Sequence, residues 1–479
     1  MDKNPTISFD FLHIMSANLS KYWTPVNFFY YSFFASNLIH LWDIYLHYRQ
    51  HKVYNQKHKV PVELAQYVDE DNFSKARIYN LDKSNFGFIR DLFGLIQKNV
   101  FLWIYMPARM WYLSTNLTLE LLGREHEIVS TMLFFFLQSA LSTVLDLPFS
   151  IYSNFVIEER HGFNKYTMRF FIWDMIKKFL VFQPIVAGLV GGATYIVIRF
   201  EDQFFLYLWL FSITMTFILM VIYPSVIAPL FDKYTPLEEG SLRTRIQKLA
   251  SDIHFPLKNI FVVDGSKRSG HSNAYFFGVF KSKQIVLYDT LFEREEEKPQ
   301  PESTDDSDDK DKLIKEDLSN KEQKKKSGCT EKEIVAIICH ELGHWNHSHI
   351  YKNLFISLVN MFFIFMIASI FYKDRVIFEA FGFRGEKMPC FIGLLLVIEN
   401  IFLIYFEVFN FFMSIISRKF EFQADDFAKN LNFRSELINA LVKLNKDNLS
   451  FPVYDWLYSA LLHSHPPILD RITALKKID

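Results

Sequence analysis

The sequence predicts a mainly α-helical, polytopic membrane protein with about seven transmembrane helices, interrupted by a small α+β unit. Three observations lead to this fold class. Half of the 479 residues are hydrophobic and 52 are phenylalanine, which is more Phe than ordinary globular proteins contain. Several apolar runs reach the roughly 18 residues needed to cross a bilayer core. Between them, one polar stretch carries the short β-branched and aromatic runs that are typical of strands.

Composition and charge exclude several other classes. Lys and Arg (52) balance Asp and Glu (53) to a net charge of −1, so bulk charge does not favour nucleic acid as a partner. Three cysteines cannot form a disulfide framework, and their spacing fits no zinc finger. The mean hydropathy of +0.07 is modest only because very apolar blocks are averaged with very charged ones.

Seven apolar runs are predicted to be membrane spans. In chain order they are Val26–Tyr45, Leu95–Leu113, Ile128–Phe149, Phe179–Ile198, Phe204–Ile227, Leu354–Tyr372 and Phe391–Met413. The second run is the least regular, because it contains Lys98 and Arg109, and the seventh contains Glu399 and Glu407. No cleavable signal peptide precedes the first run, so it is expected to act as its own anchor.

The distribution of Lys and Arg among the loops predicts the orientation. The loops after the first and third runs are rich in these residues, and those after the second and fourth are poor. The positive-inside rule then places the amino terminus in the lumen and the polar central and C-terminal parts in the cytosol. The predicted domains are membrane helices at 1–230, a cytosolic unit at 231–350, two membrane helices at 351–413 and a cytosolic C-terminal part at 414–479.

The cytosolic unit is predicted to be α+β. Its strands are Asn259–Asp264, Tyr275–Phe280 and Gln284–Tyr288, and its helices are Leu242–Ile253 and Glu331–His349. Residues 293–328 contain almost no apolar side chains. Such a segment cannot bury enough surface to order itself, so it is predicted to be a flexible insertion.

The chemistry of the chain is concentrated in one short motif, H-E-x-x-H. His340 and His344 are four residues apart, so on a helix they project from one face and can share one metal ion, while Glu341 can reach a water molecule on that metal. Two histidines and a carboxylate that leave a fourth position open to water form a catalytic zinc site. The sequence therefore predicts one Zn²⁺ per chain, with Glu341 as the general base.

The third zinc ligand has three candidates. Glu399 and Glu407 are carboxylates inside a predicted span, where ionisable groups are usually functional. Glu421 is favoured, because Glu421 and Asp425 are four residues apart on one amphipathic helix and Asp425 could then hold a ligand histidine through its other nitrogen. The alternative is an ordinary solvated helix face.

A further histidine precedes two prolines. Pro466 and Pro467 form a rigid turn that presents His465 just before a helix begins. A histidine in this place could donate a hydrogen bond to a developing oxyanion. It could equally be a helix-entry residue without a catalytic role.

Five motifs in the same order resemble those of the type I CAAX prenyl proteases, a family of multi-span zinc metalloendopeptidases of the endoplasmic reticulum and nuclear envelope. The motifs are EERHGFN (Glu158–Asn164), DGSKRSGHSNAYFFG (Asp264–Gly278), HELGHW (His340–Trp345), EFQAD (Glu421–Asp425) and SHPP (Ser464–Pro467). The resemblance implies Glu421 as the third zinc ligand. It also implies that Asp425 contacts a zinc ligand rather than the zinc itself, and that His465 stabilises the transition state. It also implies that Asn273 and Ala274 lie on the edge strand that pairs with the substrate backbone.

The resemblance further implies seven helices around a large water-filled chamber, with a gluzincin-like zinc-protease domain on the cytosolic side. The expected activity is removal of the last three residues of prenylated CAAX proteins, with prenylated protein and membrane lipid as partners. A second, upstream cleavage is left open. The C-terminal Lys476 and Lys477 fit a dilysine retrieval signal, which favours the endoplasmic reticulum membrane, and the inner nuclear membrane is a further expected location.

Three rival functions can be compared with this one, each by a feature of the sequence or of the metal site. A membrane quality-control zinc protease shares H-E-x-x-H but would lack the match at Asp264–Gly278. A site-2-type intramembrane protease would place its zinc helix inside a span, and Ile334–His349 is too polar for that. A transporter or channel with structural zinc would close the site with a fourth protein ligand.

Overall fold

The computed structural model describes residues 21–278, 282–295, 326–385 and 387–477. Its amino-terminal half is a set of long helices. They are α1 (Pro25–Gln56), α2 (Glu70–Trp103), α3 (Met106–Leu122), α4 (Glu127–Tyr152), α5 (Met168–Phe200) and α6 (Phe204–Ile222), followed by a π-helical turn at Tyr223–Ile227 and the short α7 (Ala228–Phe231). Helices α5 and α6 pack against each other, so the chain reverses at the 3₁₀ turn between them.

The central part is the predicted α+β unit. Its elements are β1 (Tyr234–Pro236), α8 (Ser241–Asp252), β2 (Leu257–Val263), β3 (Ala274–Phe277), β4 (Lys283–Tyr288), β5 (Arg294–Glu295), β6 (Lys326–Ser327) and α9 (Glu331–Asn346). The main sheet has the strand order β1-β2-β4-β3, with β2 and β4 parallel and the two outer strands antiparallel to their neighbours. This order leaves β3 at an edge.

The C-terminal part returns to helix. Its elements are α10 (His349–Phe371), α11 (Arg375–Ala380), α12 (Cys390–Ile401), α13 (Leu403–Asn430), α14 (Arg434–Asp447), α15 (Trp456–Leu462) and α16 (Ile468–Lys476). One hydrophobic core joins the sheet, α8 and α9 to α14 and α16. A second core, which shares no residue with the first, joins membrane helices from both halves of the chain.

The structure confirms a multi-helix membrane protein and corrects two of the predicted spans, while a third, Val26–Tyr45 in α1, is helical but is not among the long apolar helices. Within the described residues, three helical stretches are long and apolar enough to cross a membrane: Glu127–Glu158, Met168–Phe231 and His349–Phe371. The predicted span Leu95–Leu113 is wrong as one helix, because Tyr105 adopts a φ of 52° between α2 and α3. The predicted span Phe391–Met413 is bent by 65° where α12 gives way to α13, so it counts as a fourth span only if this bent pair is taken as one.

The membrane helices are loosely packed along their apolar stretches. In the most apolar windows of the three spanning stretches, only 17%, 6% and 11% of the residues are buried. A solid bundle would bury the inward stripe of each helix, so these helices have few close neighbours there. A cavity of about 490 Å³ lies between α1, α2 and α12, lined by Ser36, Lys98 and Glu399 among others. The full chamber remains a prediction.

The strand and helix predictions for the central unit are confirmed with small shifts. Strands β2 and β4 match their predicted runs, and β3 ends at Phe277, just before Gly278. Helix α9 ends at Asn346 rather than His349, because Ser348 adopts a φ of 57° and starts a new helix. Strand β1 was not predicted. Most of the predicted insertion 293–328 and the last two residues lie outside the described residues.

Candidate metal centre

Helix α9 carries the H-E-x-x-H motif and is firmly positioned. Its amino terminus is closed by a capping box, in which the Thr330 N–H and the Thr330 hydroxyl donate to the Glu333 carboxylate at 2.7 and 2.9 Å. Lys443 of α14 binds the same carboxylate at 2.8 Å. All residues from Glu333 to His340 are buried. This packing fixes the rotation of the helix about its axis and therefore the face from which the two histidines project.

A glycine allows α13 to approach α9 closely. A Cβ atom at Gly343 would lie 2.9 Å from Cα of Ala424 and 3.1 Å from its carbonyl oxygen. Both are closer than ordinary non-bonded contacts, so only glycine fits here. The close approach brings Glu421, which precedes Ala424 by one helical turn, next to the two histidines.

His340, His344 and Glu421 form the one cluster of metal-binding type among the described residues, and their donor atoms all lie within 4.8 Å of one another. The two Nε2 atoms are 3.3 Å apart. Glu421 lies 3.6 Å from Nε2 of His340 and 3.3 Å from Nε2 of His344. Tetrahedral ligands held about 2.0–2.1 Å from a metal are roughly 3.3 Å from each other. The three donors therefore have the spacing of a coordination shell.

An ion pair on α13 and α16 holds the first histidine. Asp425 lies 2.9 Å from Nδ1 of His340, which leaves Nε2 free for a metal. Arg471 donates two hydrogen bonds to the same carboxylate, at 2.8 and 2.7 Å. Burial raises the pKa of Asp425, but the Arg471 pair outweighs it and keeps that pKa below its ordinary value. Asp425 is therefore an anion that fixes the tautomer of His340.

A different relay holds the second histidine. Nδ1 of His344 lies 2.9 Å from Nδ1 of the buried His349, whose Nε2 lies 2.9 Å from the Gln423 amide oxygen. The Gln423 oxygen can only accept, so Nε2 of His349 carries its hydrogen and Nδ1 accepts from His344. Nε2 of His344 is then the unprotonated nitrogen that a metal requires.

The charge of the cluster also fits a divalent cation. Glu341, Glu421 and Asp425 are three carboxylates, and Arg471 is the guanidinium that faces them. With neutral histidines, a divalent ion brings this buried group to zero net charge. One oxygen of Glu421, Oε2, is buried and accepts no hydrogen bond, and a metal ion would satisfy it.

His465 stands at the rim of this cluster. Its side chain is 68% exposed, and Nδ1 lies 2.9 Å from Oε2 of Glu421 without the alignment of a hydrogen bond. Helix α16 begins directly after Pro467, as the sequence predicts. A cavity of about 490 Å³ opens here, with Leu444 and Leu462 among its lining residues. It offers room for a peptide beside the cluster.

Glu341 lies on α9 beside the first histidine and is half-buried. Burial raises the pKa of its carboxyl group, and the two neighbouring histidines oppose this shift. A carboxylate with a raised pKa next to a metal position is suited to accept a proton and return it.

Asn273 and Ala274 begin the edge strand β3, which packs against α9. The Asn273 carbonyl accepts from the Tyr288 N–H of β4 at 3.1 Å, so the Ala274 N–H points to the free edge. There it donates to the side-chain oxygen of Asn273 at 2.8 Å. A peptide carbonyl could take the place of this oxygen.

The structure thus brings together the motif histidines, Glu341, Glu421, Asp425 and His465. Two candidate third ligands lie elsewhere. Glu399 lines the cavity near Lys98, and Glu407 is not part of the metal-binding cluster found among the described residues. Sequence reasoning missed Arg471, His349 and Gln423. Gln423 lies inside the quoted EFQAD motif, but its spacing of two residues from Glu421 places the two side chains on different faces of the helix, so it gave no signal.

The helical membrane fold and the three-donor site define a membrane-embedded metalloprotease. The family model described as "CAAX prenyl protease N-terminal, five membrane helices" matches residues 50–233, which contain the five long helices α2 to α6. The model described as "Peptidase family M48" matches residues 236–479. The chain belongs to peptidase family M48.

Relatives cover nearly the whole chain. It is 44% identical to the CAAX prenyl protease 1 homolog of Mus musculus, over 91% of this chain and 93% of that protein. It is 36% identical to CAAX prenyl protease 1 of Saccharomyces cerevisiae, over 90% and 92% respectively. The crystal structure of S. mikatae Ste24p is similar with a TM-score of 0.81 at 34% identity, covering 94% of this chain and 99% of that one.

Proposed function

We propose that this metalloprotease removes the last three residues of prenylated CAAX proteins and that its metal is zinc. The names of the relatives support the substrate class. The observation that carries the proposal is the cluster of two histidines and one glutamate with coordination spacing. No fourth His, Cys or carboxylate joins it among the described residues, which favours a catalytic site over a structural one.

The roles of the residues follow from their chemistry. When bound, zinc polarises the peptide carbonyl and acidifies a water molecule. We infer that His340, His344 and Glu421 hold the ion. Glu341 accepts the proton of the water and passes it to the leaving amine. Asp425, backed by Arg471, keeps His340 in the tautomer that binds metal.

The substrate is held by a second set of residues. The peptide adds to the free edge of β3 and accepts from the Ala274 N–H, while the Asn273 side chain turns to bind it. His465 at the rim donates a hydrogen bond to the carbonyl oxygen as negative charge develops there. Its exposed ring leaves it free to reach a peptide that enters from the cavity at Leu444 and Leu462.

The proposed location is the endoplasmic reticulum membrane, with the active site and C-terminus in the cytosol. The inner nuclear membrane is a further proposed location. The basic loops support this orientation. In sealed microsomes, added protease should cut within residues 293–328 and spare residues 123–126, the short loop between α3 and α4. The reverse pattern would put the site in the lumen and contradict the proposal.

The experiment compares a farnesylated CAAX peptide with the same peptide carrying a free cysteine, using purified protein and mass spectrometry of the products. The farnesylated peptide should lose three residues and the unmodified one should react at least about tenfold less efficiently, because burial of the chain contributes roughly 0.8 kcal/mol per CH₂. Phenanthroline should stop both reactions. Equal kcat/KM for the two peptides would favour a quality-control protease instead.

A further inference from the structure

A second cavity lies at the end of β3 that is farther from Asn273. It has a volume of about 300 Å³ and is bounded mainly by four elements. Met220 comes from α6, Tyr223 from the π-helical turn that follows it, Phe277 from β3, and Ile350 and Tyr351 from the start of α10. This volume is at the lower end of the roughly 300–1,000 Å³ of small-ligand pockets. It suits a single chain rather than a folded peptide.

The cavity lies where membrane helices meet the protease unit. Helices α6 and α10 pack against each other, and both belong to stretches apolar enough to cross a membrane. The end of α6 and the beginning of α10 both border the α+β unit. A hydrocarbon chain in the bilayer can therefore enter this cavity without crossing water, which matters because each exposed CH₂ costs about 0.8 kcal/mol.

Strand β3 joins this cavity to the metal centre. The amide of its first residue, Ala274, points to the open edge and donates to the Asn273 side chain, while its last residue, Phe277, lines the cavity. The two are three residues apart, or roughly 10 Å along a strand. A prenyl chain of about 15 carbons attached to a peptide residue at Ala274 is long enough to cover that distance.

The polar groups at the cavity already have partners. The buried Lys283 donates from Nζ to the Gly278 carbonyl at 2.7 Å, and Nζ lies 5.9 Å from the ring centroid of Phe276 and 5.6 Å from that of Tyr351. The hydroxyl groups of Tyr234 and Tyr275 lie 3.3 Å from each other. An occupant therefore meets mainly aromatic and aliphatic surface, which favours an apolar chain over a charged group.

We propose that this cavity receives the isoprenoid chain of the substrate cysteine. The inference rests on the proposed function and adds the site of lipid recognition to it. Each of the two cavities has a lysine in its wall, but the larger one near Lys98 also carries the carboxylate of Glu399, so it is the less suitable place for an unsaturated hydrocarbon chain.

The first experiment fills the cavity. Met220→Trp places a bulky ring in it from α6, and the matched control Ile218→Trp puts the same ring on an exposed position of the same helix that does not line the cavity. KM for the farnesylated peptide should rise at least about tenfold in the first variant only. Metal content and cleavage of the unmodified peptide should stay at the wild-type level in both, which also shows that the variant is folded.

The second experiment uses the wild-type protein and a CAAX peptide whose farnesyl chain carries a diazirine. After illumination, adducts should map to peptides that contain Met220–Tyr223 or Ile350–Tyr351. Adducts near Lys98 and Glu399, or an unchanged KM in Met220→Trp, would overturn the proposed lipid site while the protease function stands. If the farnesylated peptide were not preferred by the wild-type protein, the proposed function itself would fail.

Discussion

Gly343→Ala tests whether the close contact between α9 and α13 builds the metal site. The new Cβ would lie 2.9 Å from Cα of Ala424, whereas non-bonded carbon atoms are normally about 3.5–4.0 Å apart. The helices must therefore separate by roughly 0.6 Å. Metal–ligand distances tolerate only about 0.2 Å, so Glu421 would lose its place in the shell. We expect metal affinity to fall at least about tenfold, with a similar loss of activity.

The change in stability should be small by comparison. Overpacking lowers the free energy of unfolding by about 1–3 kcal/mol. Replacing Gly by Ala inside a helix raises it by about 1 kcal/mol. The two effects leave the protein folded, with a free energy of unfolding lowered by about 2 kcal/mol or less. Loss of metal without loss of fold is therefore the signature of this substitution.

The assay is a titration of the purified variant with a zinc-chelating indicator, together with kcat/KM on a farnesylated peptide. The matched control is Gly188→Ala in α5, an exposed helical glycine with no atom within 4 Å of the new Cβ. It should leave both quantities unchanged. If Gly343→Ala kept wild-type metal affinity, the spacing of the two helices would not be what assembles the site.

Four further predictions address the same site. Glu341→Gln should keep the metal and the fold but abolish turnover, because an amide cannot accept the proton; normal cleavage would refute the general-base role. Glu421→Ala should lose metal and activity, while Asp425→Asn should lower metal affinity or activity by only about 10- to 100-fold. Full metal occupancy in Glu421→Ala would reopen the choice of third ligand. His349→Phe removes the hydrogen-bond acceptor for Nδ1 of His344 and should weaken metal binding by roughly 10- to 100-fold. Unchanged metal affinity in this variant would show that His349 does not orient His344. Chelation should lower the Tm of the wild type, since a ligand at about 100 times its Kd adds about 2.7 kcal/mol to stability, and should leave the Tm of Glu421→Ala unchanged.

The sequence predicted those features that depend on short-range patterns. Apolar length identified most spans, alternating and β-branched runs identified three strands, and the four-residue spacing of His340 and His344 identified the metal helix. Each of these signals is contained within about 20 residues, where helical and strand periodicity can be read directly.

The features that sequence reasoning missed depend on contacts between distant segments. The break at Tyr105 is an exception, because Pro107 in the first turn of α3 is a local signal that the apolar-length criterion passed over. Arg471 is 46 residues from its partner Asp425, and His349 is 74 residues from Gln423, with α11 and α12 between the two helices that carry them. No local pattern indicates such pairs, because only the tertiary fold brings them together.

The placement of the ligands shows why the membrane helices and the protease chemistry belong to one unit. His340 and His344 lie just before α10, and Glu421 lies on α13, after the chain has passed through α10, α11 and α12. The donor set is complete only when the helices between these segments are folded and α13 has returned to Gly343. A buried cluster with three carboxylates and one guanidinium is costly until a divalent ion balances it. We therefore expect metal binding to stabilise the contact between α9 and α13 and, through α10 and α13, the membrane helices on which the proposed lipid cavity depends.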